Sequence, residues 1–262
     1  MTGMIPVLNT RPKIPAAAVP GGDTLSAALT AAGFDPIDVP LVELTFLEDA
    51  LNLLERISDR HYDGILLSSP NLLPLLKSVG RSVPAAWCAK PWYLIGERAR
   101  ADVEALGARV AFVPRGEASL EGFLDEIPVQ DNLRLIHPGS TRTRLEPSLF
   151  TGKGIVLHNM SLYEPRCPDG AVAALQAAWP RLSPRGAVLF ASSSAVHHLF
   201  TAAPALARTL VADDGPIPVS IGSSTTRTLR AYHITRSHQT PTADTAGFLA
   251  TLNHLFPKAS RP

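Results

Sequence analysis

Three features of the sequence predict an α/β protein made of two similar parallel-sheet domains. Short apolar, β-branched runs alternate with amphipathic runs of about ten residues, the change of period expected when strands and helices wind around a parallel sheet. One strand–helix pattern occurs twice. Two extended, proline-bounded segments stand where the chain would pass between domains.

The strand candidates, in order, are residues 5–8, 64–67, 92–95, 110–113, 134–137, 155–157, 187–190 and 218–221. Helix candidates lie between them, such as 24–32, ended by Gly33, and 98–106, ended by Gly107, glycine being the residue that takes the left-handed turn after a helix most cheaply.

The repeated pattern starts at Tyr62 as YDGILLSSPNLLPLL, followed by WYLIGERARADVEALG. It returns at Ala187 as AVLFASSSAVHHLF, followed by VSIGSSTTRTLRAY. In each copy an apolar strand ends in consecutive serines that open a helix, and about thirty residues later another strand ends in Ile-Gly and opens a helix. Two similar domains explain this most economically.

The segments DPIDVPLVEL and HNMSLYEPRCP are poor in helix formers and read as extended crossings between domains. Domain one then combines residues 1–36 with 167–262, domain two spans 41–160, and 37–40 and 161–166 are the linker strands. A ligand is expected in the cleft between the domains.

Composition narrows the function classes. With 24 basic and 23 acidic side chains the net charge is +1, so no global field draws nucleic acid or an anionic membrane, and any anion must be met locally. The two cysteines, Cys88 and Cys167, are far apart and lack neighbours at metal-ligand spacing, so neither a disulfide framework nor a metal site is expected. No signal-peptide pattern opens the chain, and no run approaches the roughly 18 apolar residues of a membrane helix, so a soluble cytoplasmic protein is expected. No strand is followed by G-x-G-x-x-G or G-x-x-x-x-G-K-[ST], and no G-x-S-x-G elbow occurs, so a nucleotide site is not indicated and no cofactor is expected.

Four strand ends carry the candidate chemistry: Ser68 and Ser69, Gly96, Ser192 and Ser193, and Gly222, Ser223, Ser224 and Thr225. Free backbone N–H groups and the positive end of the helix dipole make such turns anion cradles, although each hydroxyl would serve equally as a helix cap. In HPGSTRTRLEP, Ser140 and Arg142, with Arg144 beyond, are candidates for gripping carboxylates, the alternative being solvated charges near a helix start. His197 and His198 fall inside a helix and read as structural or solvated. Tyr163 lies in the second crossing segment, where a phenol over the cleft would donate a hydrogen bond or a proton; otherwise it is a packed aromatic.

Taken in order, these blocks resemble the uroporphyrinogen-III synthase family over nearly the whole chain. VLNTRP, containing Arg11, is similar to the family's first strand and T-R-P turn, and YDGILLSSPN to its Y-D-x-hydrophobic-T-S block. IGERARADVEALGARV is similar to the G-x-x-T-A helix, and the stretch from LIHPGSTRTRLEP to SLYEPR to the block ending in the linker Y-E. VLFASSSAV, SIGSSTTRTL and QTPTADTAGFLATL resemble the second serine turn, the I-G-x-x-T block and the P-T-x-x-G ending.

The resemblance implies two α/β domains joined by a two-stranded linker, with the active site in the interdomain cleft. It implies dehydration and cyclisation of hydroxymethylbilane with inversion of the terminal ring through a spiro intermediate, without metal or organic cofactor. By position, Tyr163 matches the linker tyrosine that assists hydroxyl departure and Thr225 the threonine of the I-G-x-x-T turn. Ser69 and Ser192 match the two serine turns, and Gly96 and Gly222 the two Ile-Gly turns. It further implies a monomer that takes substrate from hydroxymethylbilane synthase, in transient contact with it. The chain departs from the pattern at Ala99, where the family has the threonine of G-x-x-T-A, and at Thr143, where an arginine is frequent. The competing reading is a non-enzymatic homologue that binds a tetrapyrrole or small anion.

Overall fold

A computed structural model describes residues 4–12, 24–57, 62–182, 185–212 and 214–257. The ends of the expected domain one, residues 1–3 and 258–262, lie outside the described residues. The chain divides into two compact units; of the described residues, unit one takes those up to 12, 24–43 and those from 166 on, and unit two takes 44–165.

Unit one opens with β1 (Ile5–Asn9), α1 (Thr24–Ala31) and β2 (Phe34–Asp38). Next come β3 (Glu43–Phe46), α2 (Ala50–Ile57), β4 (Gly64–Leu67), α3 (Leu72–Ser78), α4 (Ala85–Cys88) and β5 (Pro91–Leu94). Unit two continues with α5 (Arg100–Ala105), β6 (Arg109–Phe112), α6 (Leu120–Glu126), β7 (Leu133–Ser140), α7 (Ser148–Thr151) and β8 (Ile155–Arg166). Unit one closes with α8 (Ala171–Leu182), β9 (Ala187–Phe190), α9 (Ser193–Ala202), α10 (Pro204–Thr209), β10 (Ile217–Ser220), α11 (Ser223–Ala231), β11 (His238–Gln239) and α12 (Thr245–Leu255).

In unit one the strands form a five-stranded sheet in the order β11-β10-β9-β1-β2, and every neighbouring pair is parallel. Parallel strands buried on both faces read as continuous apolar runs, and all four residues of β9 are buried. Gly33 ends the first helical segment at φ +84°, a left-handed turn that costs glycine little, and so returns the chain into β2. Val7, Leu29, Phe34, Leu189, Phe248 and Leu252 pack as one core.

Unit two is a six-stranded sheet in the order β3-β8-β7-β4-β5-β6. From β8 to β6 the neighbours are parallel. Alternate residues of each strand point to opposite faces, and each face has its own core. Ile65, Leu67, Trp92, Leu94, Ile136 and Met160 fill one. Leu66, Leu135, Ile155 and Leu157 fill the other with Phe123 and Phe150. Each such leucine contributes about 1.5–3 kcal/mol by leaving water. Register is pinned where β4 and β7 begin: Arg134 donates Nε to Asp63 Oδ2 at 3.0 Å and its terminal nitrogen to Oδ1 at 2.8 Å. This fork holds the Asp63 carboxyl down at about 2.

The winding direction reverses within both sheets. In unit one the reversal falls between β1 and β9, and in unit two between β4 and β7. Strand ends at such a reversal leave a crevice, the usual ligand place in this architecture.

The segments expected to cross between domains fall partly inside regular strands. Ile37 and Asp38 finish β2, paired with Leu8 and Asn9 of β1, and 161–166 are the end of the twelve-residue β8. Of the strands absent from the sequence reading, β3 and β11 are short and carry polar residues, and β2 contains a proline.

Candidate functional site

The serine and Ile-Gly turns lie at the C-terminal ends of parallel strands, but only those of unit one open helices directly. Ser192 caps α9, its hydroxyl accepting the Ala195 N–H at 3.2 Å. Gly222 stands at the cap position of α11 in extended backbone. A Cβ added at Gly222 would meet nothing within 4 Å, so packing does not demand a glycine there. Ser193 and Ser224 approach each other, Oγ to Oγ, at 3.3 Å, which sets the first turns of α9 and α11 side by side.

Thr225 and Thr226, adjacent in that turn, do different things. Both are buried. Thr226 Oγ1 lies 2.6 Å from Ser220 Oγ, 3.1 Å from the Gly222 carbonyl and 2.9 Å from Gln239 Oε1, stapling α11 to β10 and β11. Among the described residues no hydrogen bond to the Thr225 hydroxyl is seen. Near the sheet reversal, Thr10 Oγ1 donates to the Leu189 carbonyl at 2.6 Å. Arg11 follows, its guanidinium 5.9 Å above the Phe248 ring and in reach of Thr245 Oγ1 at 3.4 Å.

In unit two the expectation of serines opening a helix needs correction. Ser68 and Ser69 precede α3 by a turn; Asn71 holds the cap position, and Ser69 Oγ accepts the Asn71 N–H at 3.3 Å instead of capping the helix. Proline at position 70 is the reason, since the residue before a proline avoids helical backbone. Gly96 likewise opens only a 3-10 turn, Glu97–Ala99, ahead of α5. Ser140 is buried and spends its hydroxyl on the Arg142 N–H at 3.1 Å, so it shapes the turn after β7 while Arg142 itself is exposed.

Tyr163 is packed inside unit two. The sequence leaves it either a phenol over a cleft or a packed aromatic, and its ring is 2 % exposed and packs in unit two's core with Leu162 and Met160. A register shift between Gly139 and Ser140 causes this: Gly139 pairs Ser161, but Ser140 pairs Tyr163, so β8 gains a residue and the tyrosine turns inward. Burial raises its pKa above the ordinary 10.0, and the hydrogen bond with Ser69 opposes that only in part. The phenol therefore stays protonated and remains a donor.

Ala99 also faces the core, 3 % exposed among Trp92, Leu94 and Val103. The helical histidines are tied to neighbouring groups: His198 Nδ1 lies 2.5 Å from the Leu41 carbonyl, and His197 Nδ1 lies 2.9 Å from the Tyr232 hydroxyl. A pocket of about 820 Å³ in unit two is lined by Glu97, Arg100, Arg115 and Glu126, and none of the residues proposed above lines it. No described helix is long and apolar enough to cross a membrane.

Residues 23–253 match the family model described as uroporphyrinogen-III synthase HemD. The chain belongs to the uroporphyrinogen-III synthase family. Among solved structures it is similar to a mutant uroporphyrinogen III synthase from the extremely thermophilic bacterium Thermus thermophilus, with 14% identity over 97% of this chain and 99% of that one and a TM-score of 0.60. It is similar also to the uroporphyrinogen-III synthetase of Helicobacter pylori 26695, with 14% identity over 96% and 99% of the two chains and a TM-score of 0.58. At such identity these likenesses concern the fold. No curated protein matches the chain significantly. The uroporphyrinogen-III synthase match spans both units, so the ordered motifs of the sequence and the two sheets belong to one family unit.

One feature escaped the sequence reading altogether. His137, on β7, is buried between Ser68 and Asn159 and bonds to both. A signal existed: an apolar–x–polar step closes β4 and recurs within β7 and β8, as Leu66-x-Ser68, Leu135-x-His137 and Leu157-x-Asn159.

Proposed function

We propose that this chain works as a uroporphyrinogen-III synthase, a cyclising lyase that dehydrates and closes hydroxymethylbilane with inversion of its terminal ring. The observation that carries the proposal is the family match over 23–253, which takes in every candidate turn except that of Arg11.

The chemistry asks mostly for geometry. The pyrrole nitrogen lone pair expels the terminal hydroxyl readily, giving an azafulvene, and in water this closes at the nearest free end to the uninverted isomer. The protein must direct attack to the substituted carbon of the terminal ring, so that the spiro intermediate fragments and recombines inverted. In this reading Ser192, Ser193, Gly222, Ser223 and Ser224 hold substrate carboxylates through hydroxyls and first-turn N–H groups, with Arg11 nearby. Ser69, Gly96, Ser140 and Arg142 do so from unit two. Preorganised dipoles of this kind stabilise developing charge without reorganising. Thr225 offers the substrate a hydroxyl that has no other partner among the described residues. Tyr163, a protonated phenol bonded to Ser69, assists hydroxyl departure, directly or through that serine. We further propose a cytoplasmic monomer that receives its unstable substrate from hydroxymethylbilane synthase by transient contact.

The burial of Tyr163 favours one competing reading, a homologue that binds the tetrapyrrole without turnover. One assay separates the two. Hydroxymethylbilane is generated in situ from porphobilinogen, the protein is added, and the oxidised type I and type III isomers are separated. Predominance of type III without added metal or nucleotide supports the synthase, and type I alone overturns it.

A further inference from the structure

Ser68, His137 and Asn159 sit in one row across three adjacent strands. Directly after β4 and within β7 and β8, they lie two residues beyond Leu66, Leu135 and Leu157, hence on the same sheet face as that core and just past its edge. His137 pairs directly with Asn159 in the β7–β8 register. Ser68 directly follows β4 and His137 lies inside β7, the two strands flanking the winding reversal of unit two.

Hydrogen-bond polarity runs one way along the row. The Leu145 N–H, which can only donate, reaches Asn159 Oδ1 at 3.1 Å, and Asn159 Nδ2 donates to the Leu145 carbonyl at 2.7 Å, so the orientation of the amide is fixed. The same Oδ1 lies 2.9 Å from His137 Nδ1 and can only accept, so Nδ1 carries the proton. In the neutral ring Nε2 is then a lone pair. Ser68 Oγ, 2.6 Å away, must donate to it. The serine proton is thereby directed at the histidine, and the outward side of Oγ is an acceptor.

We propose that Ser68, His137 and Asn159 form a proton relay in which Ser68 accepts a proton from the bound tetrapyrrole and His137 Nε2 takes the serine proton. The proposal rests on the synthase reading. Recombination at the free α-carbon of the inverted ring leaves a cationic σ-complex that must lose its C–H proton to become a pyrrole again. That proton passes to Ser68 Oγ, the original Ser68 proton passes to His137 Nε2, and the C–H electron pair restores the ring. His137, left as an imidazolium, returns the proton to solvent before the next turnover. The relay also takes Ser68 out of the carboxylate cradle, because its only proton is committed inward.

The surroundings suit a base. Burial lowers the pKa of His137 below the ordinary 6.5, opposed only by the Asn159 bond. No charge takes part in that shift. Arg142, Arg144 and Glu146 in the loop after β7 are exposed, as are Glu121, Asp125 and Glu126 of α6. His158 turns to Tyr62, and Asp63 is committed to Arg134. Tyr163 bonds to Ser69, next to the relay.

The test combines imidazole ¹⁵N NMR of the full chain with the pH profile of type III formation. The expected neutral form carries its proton on Nδ1, and kcat falls in acid at the same midpoint at which His137 titrates. Ser68→Ala is expected to lower kcat about 10²-fold with little change in KM and to remove that acid limb. Asn159→Asp, which adds a carboxylate beside Nδ1, should move the NMR midpoint and the limb upward together. An Nε2-protonated ring overturns the relay, as does Ser68→Ala with wild-type kcat or an acid limb that ignores His137. A wild-type protein making no type III product overturns the synthase reading, and the proton-transfer role with it.

Discussion

Ser193 Oγ and Ser224 Oγ lie 3.3 Å apart although they open different helices of unit one. Two helix N-termini meeting in this way concentrate unpaired N–H groups and positive dipole ends in one place. The hydroxyls beside them are either substrate contacts or caps, and the pair Thr225 and Thr226 separates these roles.

Thr226→Val removes partners from Ser220, Gly222 and Gln239 and is expected to cost about 1–3 kcal/mol, because buried polar atoms lose their bonds. Thr225→Val is nearly isosteric and should change intrinsic stability by less than about 0.5 kcal/mol. If the Thr225 hydroxyl touches substrate, this variant shows a smaller rise in melting temperature with a tetrapyrrole carboxylate and slower turnover. An unchanged ligand shift and unchanged turnover in Thr225→Val remove it from the site.

Tyr163→Phe keeps the ring packed and deletes one hydrogen bond, so a loss of about 1 kcal/mol is expected in denaturant titration. Turnover should fall by less than about 100-fold, the lower part of the range for general acids, since the hydroxyl departs readily unaided. Because burial raises the phenol above 10.0, it stays protonated below that pH, and wild-type activity should show no alkaline loss traceable to Tyr163 there. Wild-type rates in the variant exclude a catalytic phenol, and complete loss in a folded variant shows that geometry alone is not enough.

Ala99→Thr restores the family residue but buries a hydroxyl among Trp92, Leu94 and Val103. A cost of about 1–3 kcal/mol is expected, with no gain in ligand affinity. Thermal unfolding with and without ligand reads both. A stable variant with an enlarged ligand shift means position 99 faces substrate after all.

Asp63→Asn breaks the fork to Arg134 at the start of β4 and β7. Both side chains are more than a third exposed, so the effect should stay at or below about 1 kcal/mol. With the folded carboxyl at about 2 against an ordinary 3.8, the pair's contribution is complete above 3.8 and disappears as pH falls through about 2. Between about pH 5 and 8 the difference from wild type should be constant in urea titrations, so the acid limb assigned to His137 cannot come from this pair.

The alternation of apolar strands with amphipathic helices, the doubled serine and Ile-Gly turns and the family blocks are all local patterns, and the sequence carried them by itself. Periodicity reports burial, and β4, β7, β9 and β10 are buried on both faces or end in recognisable turns, so they were legible. β3 and β11 were not, because short, polar edge strands draw their order from a neighbour instead of their own residues. The site divides along the same line. Ser192 and Gly222 stand where the sequence put them, since each turn is made within a few consecutive residues. The fate of Tyr163 depended on a register shift against β7, and that of Ala99 on the core above it. The Ser68–His137–Asn159 row required three strands, up to 91 positions apart, to be brought into one register, with a backbone amide fixing which atom carries the proton. Only the folded chain decides such things, because hydrogen-bond direction and side-chain burial are set by neighbours in space.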